Sequence, residues 1–464
     1  MAYAKISRRL EQIVNKVLSS SVRCVFAPEC IFINPNTGFK YRCRYLKSLD
    51  IIQNFTQNYI DNIQMSVDIT PNEYQALLDN MQDLECVITL HPVNVDTQSV
   101  DTEQDPIILE NMRVVMEDQT NLNKMYNANS LQKDDDPNGA ESDGIMTPDK
   151  VLAQMEYHCN LMAKDAYTIR HVQLNSILTN TAMSDAVNWL ACQFGAETNV
   201  IIPPDNQQVY DNLVIEPMKG IADLFGFIQQ RYGIYSKGLG YYYTGNTLYV
   251  YPQYNTDEGC NTDKGILRIF NLPEGQYAGN DKYHYRNDDD IWIISNSSKS
   301  MKSLNTVGEE NAGGTRVSMN PDNQRDFSVT IGDDGSITRD ISKCATVLQM
   351  TNKGGSMSSS SQNLKFEGQR SNIYLSTSEM AAMNGTILNC GWPCAYPMLI
   401  KPGQVLTYEY DDTDGTYTTQ KGRIMACIYK SSTTPSSNTA VPWLKFDCYL
   451  SAFLDPEKQS DNNS

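Results

Sequence analysis

NIQMSVDITPNEYQALLDNMQDLECVITL, residues 62–90, places a strand, a short helix and a second strand in one compact stretch. Ile63, Met65, Val67 and Ile69 alternate with polar neighbours, the period of a strand with one buried face. Thr70 then suits a helix N-cap, Pro71 the first helical position, and Glu73 completes a capping box. Leu77 and Leu78 are expected to pack inward. In LECVITL (84–90) the apolar side chains Leu84, Cys86, Ile88 and Leu90 return to a two-residue period.

Working outward, SVRCVF (21–26) leads through the turn NPNTG (34–38) to FKYRCRYL (39–46), and IILENMRVVM (107–116) forms a further strand. Several short strands with one helix suggest a small barrel or curled sheet over residues 21–118. Upstream, residues 1–20 are basic and amphipathic but lack the unbroken apolar run of a secretory signal. A transit peptide would share that character. Ile6, Leu10, Ile13 and Val17 keep helical spacing, so a docking helix is the better reading.

Residues 119–147 are polar and aperiodic, as in a linker. Residues 148–260 read as α/β. One helix is expected to run from Thr147–Pro148 through VLAQMEYHCNLMAKDAYTIRHV (151–172). A second is SDAVNWLACQFG (184–195), with Ser184 as cap and Gly195 as stop. A third starts near Pro217 and ends at Gly233. Next come two tyrosine-rich strands, GYYY (240–243) and TLYVYP (247–252), around a Thr-Gly-Asn turn. Tyr241, Tyr243, Tyr249 and Tyr251 are assigned to one face, Tyr242, Leu248 and Val250 to the other. The element is read as a subunit contact rather than a reaction site.

Residues 261–345 combine strands with a long loop (295–316) and a hairpin turning at Asp-Asp-Gly. Residues 346–464 return to β after a flexible GGSMSSSSQ stretch (354–362) and end in a frayed DPEKQSDNNS tail (455–464).

The 464 residues suffice for more than one core, and the net charge of −18 argues against the basic footprint of nucleic-acid binding through phosphates. No apolar run has the length of a membrane helix. The twelve cysteines are scattered and read as reduced, small, buried residues.

Motifs that could carry chemistry fail on their own terms. CGWPC (390–394) has three residues between its cysteines, and two prolines interrupt the AYPMLIKPGQ segment after it, so no helix lowers a thiol pKa. His91, His158, His171 and His284 stand apart from the close cysteine pair, against a zinc site. Asp134, Asp136, Asn138 and Gly139 begin like a calcium loop, but Ile145 stands where a bidentate Glu is required and Pro137 interrupts; a linker is favoured. No phosphate loop, nucleophile elbow or dinucleotide fingerprint is present. No catalytic, cofactor-binding or metal residue is assigned. A paired-carboxylate hydrolase is left without a marked pair.

Three stretches together resemble the baseplate hub, or tail hub, family of tailed phages and contractile injection systems: 48–90, the segment from SDAVNWLACQFG to GNTLYVYP (184–252), and KPGQVLTYEY…KGRIMACIYK…WLKFDCYLSAFL (401–454). The resemblance is one of layout, without a catalytic signature. It implies an α+β, mostly β fold, with two small tube-like β-barrel domains and α/β domains between them. It implies a homotrimeric structural virion protein that joins the tail tube to the central spike and lines a channel through which DNA passes unbound. Its partners would be itself, the tail tube protein, the spike, other baseplate proteins and the tape measure protein. It would have no cofactor and no membrane. It would be assembled in the bacterial cytoplasm and reside in the tail baseplate. The alternatives are a peripheral or receptor-binding baseplate component, and a hub carrying a cell-wall hydrolase.

Overall fold

The computed structural model describes residues 7–18, 24–115, 155–302, 315–350, 373–434 and 443–461, apart from short stretches inside these ranges. The linker 119–147, the calcium-like run 134–139 and the serine stretch 354–362 lie outside the described residues. The fold is α+β and mostly β.

Helix α1 (Arg8–Leu18) precedes strands β1 (Val25–Asn34), β2 (Phe39–Arg42), β3 (Tyr45–Asn54) and β4 (Asn62–Ile69). Helix α2 (Pro71–Asp79) connects to β5 (Glu85–Asn94), β6 (Ser99–Val100) and β7 (Ile107–Val115). The capping box forms as the sequence predicts: Glu73 N donates to Thr70 Oγ1, and Thr70 N donates to the Glu73 carboxylate at 2.7 Å. Next come β8 (Met155–Ala163), α3 (Lys164–His171), β9 (Gln173–Ala182), α4 (Met183–Gln193), β10 (Thr198–Ile201), β11 (Val209–Gly220), α5 (Ile221–Arg231), β12 (Leu239–Thr244) and β13 (Thr247–Pro252). The last third holds β14 (Leu267–Asn271), β15 (His284–Asn287), β16 (Asp290–Ser295), β17 (Ser298–Lys302), β18 (Thr315–Asn320), β19 (Arg325–Ile331), β20 (Ile337–Asp340) and β21 (Leu348–Met350). It closes with α6 (Ile373–Asn384), β22 (Thr386–Trp392), β23 (Val405–Asp411), β24 (Tyr417–Thr434) and β25 (Trp443–Asp461).

The strand pairings form a circuit. β24 pairs with β3, β3 with β4, β4 with β8, β8 with β7, β7 with β5, β5 with β1, β1 with β25, and β25 again with β24. A sheet whose pairings return to their start is a closed barrel with no free edge along that path. A second curled sheet uses the same two long strands. β24 pairs with β23, β23 with β14, and β14 with β16. On the other side of the hairpin β22 pairs with β25 and β17 with β22, so β15 and β17 are the ends of this sheet and no pairing among the described residues closes it.

β24 and β25 are therefore one long hairpin shared by the closed first barrel and by an open, barrel-like sheet, the second barrel. Thr434 pairs with Trp443 near its tip and Tyr417 with Asp461 at its base. β23 accompanies β24 as far as Arg423, and β3 takes over from Ala426 to Tyr429. The register slips between Ile424 and Ala426, where the partner changes. The bulge frees the Met425 carbonyl, which accepts from Phe55 N at 2.9 Å, while Ile424 N donates to Gln404 O at 3.1 Å. A second irregularity lies between Gln420 and Gly422, where a Cβ on Gly422 would stand 2.6 Å from Phe453 O. One apolar cluster fills both barrels, reaching from Phe32, Val67 and Ile88 to Leu267, Ile293 and Trp392.

α1 joins this cluster through Leu10, Val14 and Val17, each fully buried, and Ile13 packs alongside. Each such side chain contributes about 1.5–3 kcal/mol on burial, enough to hold a helix too short to be stable alone. A separate core belongs to the middle segment, where α4 and α5 pack on the β9–β11 ribbon and on the sheet β10-β13-β12. β18–β21 make a further four-stranded sheet.

Five local expectations are corrected. Residues 155–163 are a strand, not part of a long helix, because Tyr157, Cys159 and Leu161 alternate into the first barrel between β4 and β7. The Thr147–Pro148 start lies outside the described residues. α4 begins at Met183, so Ser184 lies within it and is not its cap, and α5 begins at Ile221 because Pro217 ends up in β11. Within the expected loop 295–316, β17 pairs with β22. The tail continues β25 to Asp461, paired with β24, instead of fraying at Asp455.

Candidate interaction surface

The tyrosine hairpin β12–β13 turns on Gly245 and Asn246, both at positive φ, the geometry of a two-residue hairpin turn. That turn sets the register Tyr242↔Tyr249 and Tyr243↔Leu248. Residues directly opposite share a face, so facing positions on the two strands have opposite parity. The face grouping expected from sequence is therefore corrected. Tyr241, Tyr243, Leu248 and Val250 face the helices, where Tyr241 meets Phe225 with ring centroids 5.3 Å apart. Tyr242, Tyr249 and Tyr251 share the other face, and Tyr242 stands edge-on to Phe55 of the barrels at 4.7 Å. Tyr251 is buried within the chain against Ile202 and Cys260, under Arg423, so it cannot supply a subunit contact.

This face closes over Asp61. The carboxylate is buried between β4 and the hairpin and accepts from Gln53 Nε2 at 2.8 Å, from Tyr242 Oη at 3.0 Å and from Thr244 Oγ1. Sequence reasoning missed Asp61, although it shares the inward parity of Ile63, Met65 and Val67. Burial raises its pKa above the usual carboxylate range, opposed by the hydrogen bonds from Thr244, Gln53 and Tyr242 and by the charge of Lys401. Gln53 Oε1 is buried without a partner, and a proton on Asp61 would supply the donor it lacks once the amide turns over.

The raised pKa sets the sign of a pH dependence. A carboxyl whose folded pKa lies above its unfolded value of about 3.9 binds protons more tightly when folded. Its contribution to stability is full below about pH 4 and is lost as pH rises through the folded value. The stability of wild type relative to Asp61→Asn should therefore fall with rising pH, by about 1.4 kcal/mol for each pH unit separating the folded and unfolded values. Urea unfolding across pH checks this, and a flat or rising difference contradicts it.

Two more buried polar groups fasten the second barrel. Glu409 on β23 accepts from Arg268 Nε at 2.7 Å, from Thr407 Oγ1 at 3.2 Å and from Tyr417 Oη. From α1, Arg9 lies 4.5 Å from the centre of the Tyr417 ring, Lys16 lies 4.7 Å from that of Trp292, and Ser7 N donates to Asp411 at 2.8 Å. Arg423, fully buried on β24, donates to the carbonyls of Asn255 and Gly403 at 2.5 and 2.9 Å. These bonds tie the segment after the hairpin, and the turn before β23, to the shared ribbon. They position and fasten; none places a nucleophile beside a base.

The motifs weighed from sequence take structural places. Cys390 ends up inside the second barrel on β22, and Cys394 lies in the following loop with its N–H on Asp447 at 3.2 Å. Burial pushes the Cys390 thiol up to about 12, which keeps it from acting as a thiolate nucleophile. The eleven described cysteines are free thiols; Cys344 lies outside the described residues. His91 and His158 sit on β5 and β8 beside Glu29 and Glu156, while the side chains of His171 and His284 lie outside those described. Among the described residues no group of three or more His, Cys, Asp or Glu side chains is arranged to hold a metal, and no helix is long and apolar enough to cross a membrane.

The described surface does offer the β9–β11 ribbon. Its inner face supplies Leu213 and Ile215 to the middle core. On its outer face Ile177 and Val214 sit opposite one another, 60% and 36% exposed.

A family model described as Bacteriophage PBS1 gene 109 protein matches residues 12–271, more than half of the chain. No curated protein matches the chain. Among solved structures, the chain is similar to the tail protein from Neisseria meningitidis MC58, at 11% identity and TM-score 0.43, covering 92% of this chain and 96% of that one. It is similar to the 43 kDa tail protein of prophage MuSo2 from Shewanella oneidensis, at 7% identity and TM-score 0.44, over 91% and 97% of the two chains. It is also similar to a chain of the Francisella PdpA–VgrG complex, at 9% identity and TM-score 0.42, over 97% of this chain and 61% of that one. The family model takes in the first barrel's own strands, the β9–β11 ribbon and the tyrosine hairpin, and ends with β14. The chain belongs to the family of the bacteriophage PBS1 gene 109 protein.

Proposed function

We propose that this phage protein is a tail hub, a structural ring component that joins the sixfold tail tube to the threefold central spike around the DNA channel. The observation that carries this reading is the closed barrel and the open, barrel-like sheet built on one shared hairpin. A cyclic trimer of a chain with two barrels presents six barrels in a ring, which matches a sixfold partner on one side while keeping threefold symmetry for the other. The net charge of −18 suits a channel that DNA slides through, since an acidic wall repels phosphate. The polar groups buried in the chain serve to fasten it, and the hub performs no reaction of its own. Its partners are two further copies, the tube, the spike and neighbouring baseplate proteins. It assembles in the bacterial cytoplasm and ends in the virion baseplate.

Sedimentation of the purified protein tests the reading. The expected particle has three times the chain mass of 52.2 kDa. A monomer at all concentrations, or a protein that cleaves peptidoglycan, would overturn it in favour of a peripheral component or a hydrolase.

A further inference from the structure

We infer that Cys30 and Cys86 form an oxidation site inside the first barrel, where a small uncharged hydroperoxide converts the two thiols into a disulfide joining β1 to β5. Both are free thiols, 2% and 0% exposed. Cys30 pairs across to Ile88 and Phe32 to Cys86, so the two side chains stand diagonally on the inward face of neighbouring strands. Their Sγ atoms lie 3.5 Å apart, in van der Waals contact. A disulfide needs about 2.05 Å, so the sulfurs must close by about 1.5 Å. β5 is irregular at that point, where its register against β7 shifts between Cys86 and Ile88. A bulged strand is already bent and released from the regular ladder there, so a small backbone shift at Cys86 costs less than it would in a regular strand.

Burial decides which oxidant fits. The barrel interior raises the Cys86 thiol pKa well above its ordinary value, chiefly by removing water, and the hydrogen bond with Cys30 adds to the effect. The thiolate is the attacking form, so the reaction is slow. A charged reagent is kept out of the apolar core, whereas hydrogen peroxide is uncharged, close to water in size, and enters through local openings. One thiolate attacks a peroxide oxygen: an S–O bond forms, the O–O bond breaks, and the leaving hydroxide takes up the thiol proton as water. The partner sulfur then attacks the sulfenic sulfur, the S–S bond forms, the S–O bond breaks and a second water leaves. Two thiols and one hydrogen peroxide give one disulfide and two waters, both sulfurs oxidised and both peroxide oxygens reduced. The joined residues are 56 positions apart, and the link encloses β2, β3, β4 and α2. Unfolding then releases less chain entropy, which holds the first barrel shut. The chemistry needs one chain only, so it holds whether or not the protein is a hub.

The test treats the reduced full chain with hydrogen peroxide, then unfolds it and alkylates the thiols that remain. The expected product has lost two hydrogens in mass and yields a linked peptide pair containing Cys30 and Cys86. It unfolds at a midpoint about 5 °C or more above that of the reduced chain, and dithiothreitol reverses the gain. Cys30→Ala and Cys86→Ala should each abolish the link and the gain, with circular dichroism of the reduced variants checking that they fold. Cys43 and Cys159 are close enough to Cys86 to act on its thiol, so peptide mapping must separate the pairs. A link from Cys86 to either of these, a Cys30–Cys86 link that lowers the midpoint, or thiols that stay free or end as separate sulfinic acids would overturn the assignment.

Discussion

Arg268→Met should lower the unfolding free energy by about 3–5 kcal/mol, the cost of leaving a buried carboxylate without its cation. Glu409 is 1% exposed, and Arg268 is its only cationic partner within ion-pair distance among the described residues. The Arg268 guanidinium also lies 5.3 Å from the ring centres of Phe270 and Trp292, so the loss includes these cation–π contacts as well as the ion pair. Removing both charges with Arg268→Met and Glu409→Leu should recover much of the loss, since an apolar pair needs no desolvated ion. Urea unfolding of the two variants checks the sign and the recovery. A single variant within about 1 kcal/mol of wild type would mean that water reaches Glu409.

Trp392→Ala should cost about 3–5 kcal/mol and should weaken both barrels together. Trp392 is fully buried on β22, pairs across to Cys448 on the shared hairpin and meets the Tyr429 ring edge-on at 6.4 Å. Tyr429 in turn pairs with Ile51 of the first barrel. With one apolar cluster running through both barrels, a cavity on one side removes support from the other. Amide exchange by mass spectrometry should therefore quicken in β4 and β5 as well as in β22. Faster exchange confined to β22 and β23 would mean that the barrels unfold independently.

Local chemistry is legible in the sequence. Thr70, Pro71 and Glu73 announce α2 and its cap, and Gly245–Asn246 announce the tyrosine hairpin, because each signal and its effect lie within four residues. The docking of α1 follows from Leu10 and Val17 at helical spacing. β8 reads as helix because residues 155–163 carry good helix formers, and pairing with β4 and β7 overrides their preference. The hairpin faces come out wrong when parity is carried straight through a two-residue turn.

The shared hairpin is beyond local reading. Its partner β3 lies in the first sixty residues, and nothing in GRIMACIYK names a strand so far away in the chain; only the pairing of Ile428 with Ile52 does. The buried groups are hidden for the same reason. Arg268 and Glu409 are 141 residues apart, and Tyr242 reaches Asp61 across 181. Among 55 acidic residues, those two carboxylates are distinguished only by what folds over them.

A cryo-electron microscopy reconstruction of the assembled particle tests the hub claim most directly. Three copies are expected on the tail axis between tube and spike, their six barrels forming one ring and each copy's β24–β25 hairpin running between its own two barrels. Density for the chain at the baseplate periphery, or copies on the axis whose barrels do not share a ring, would contradict it.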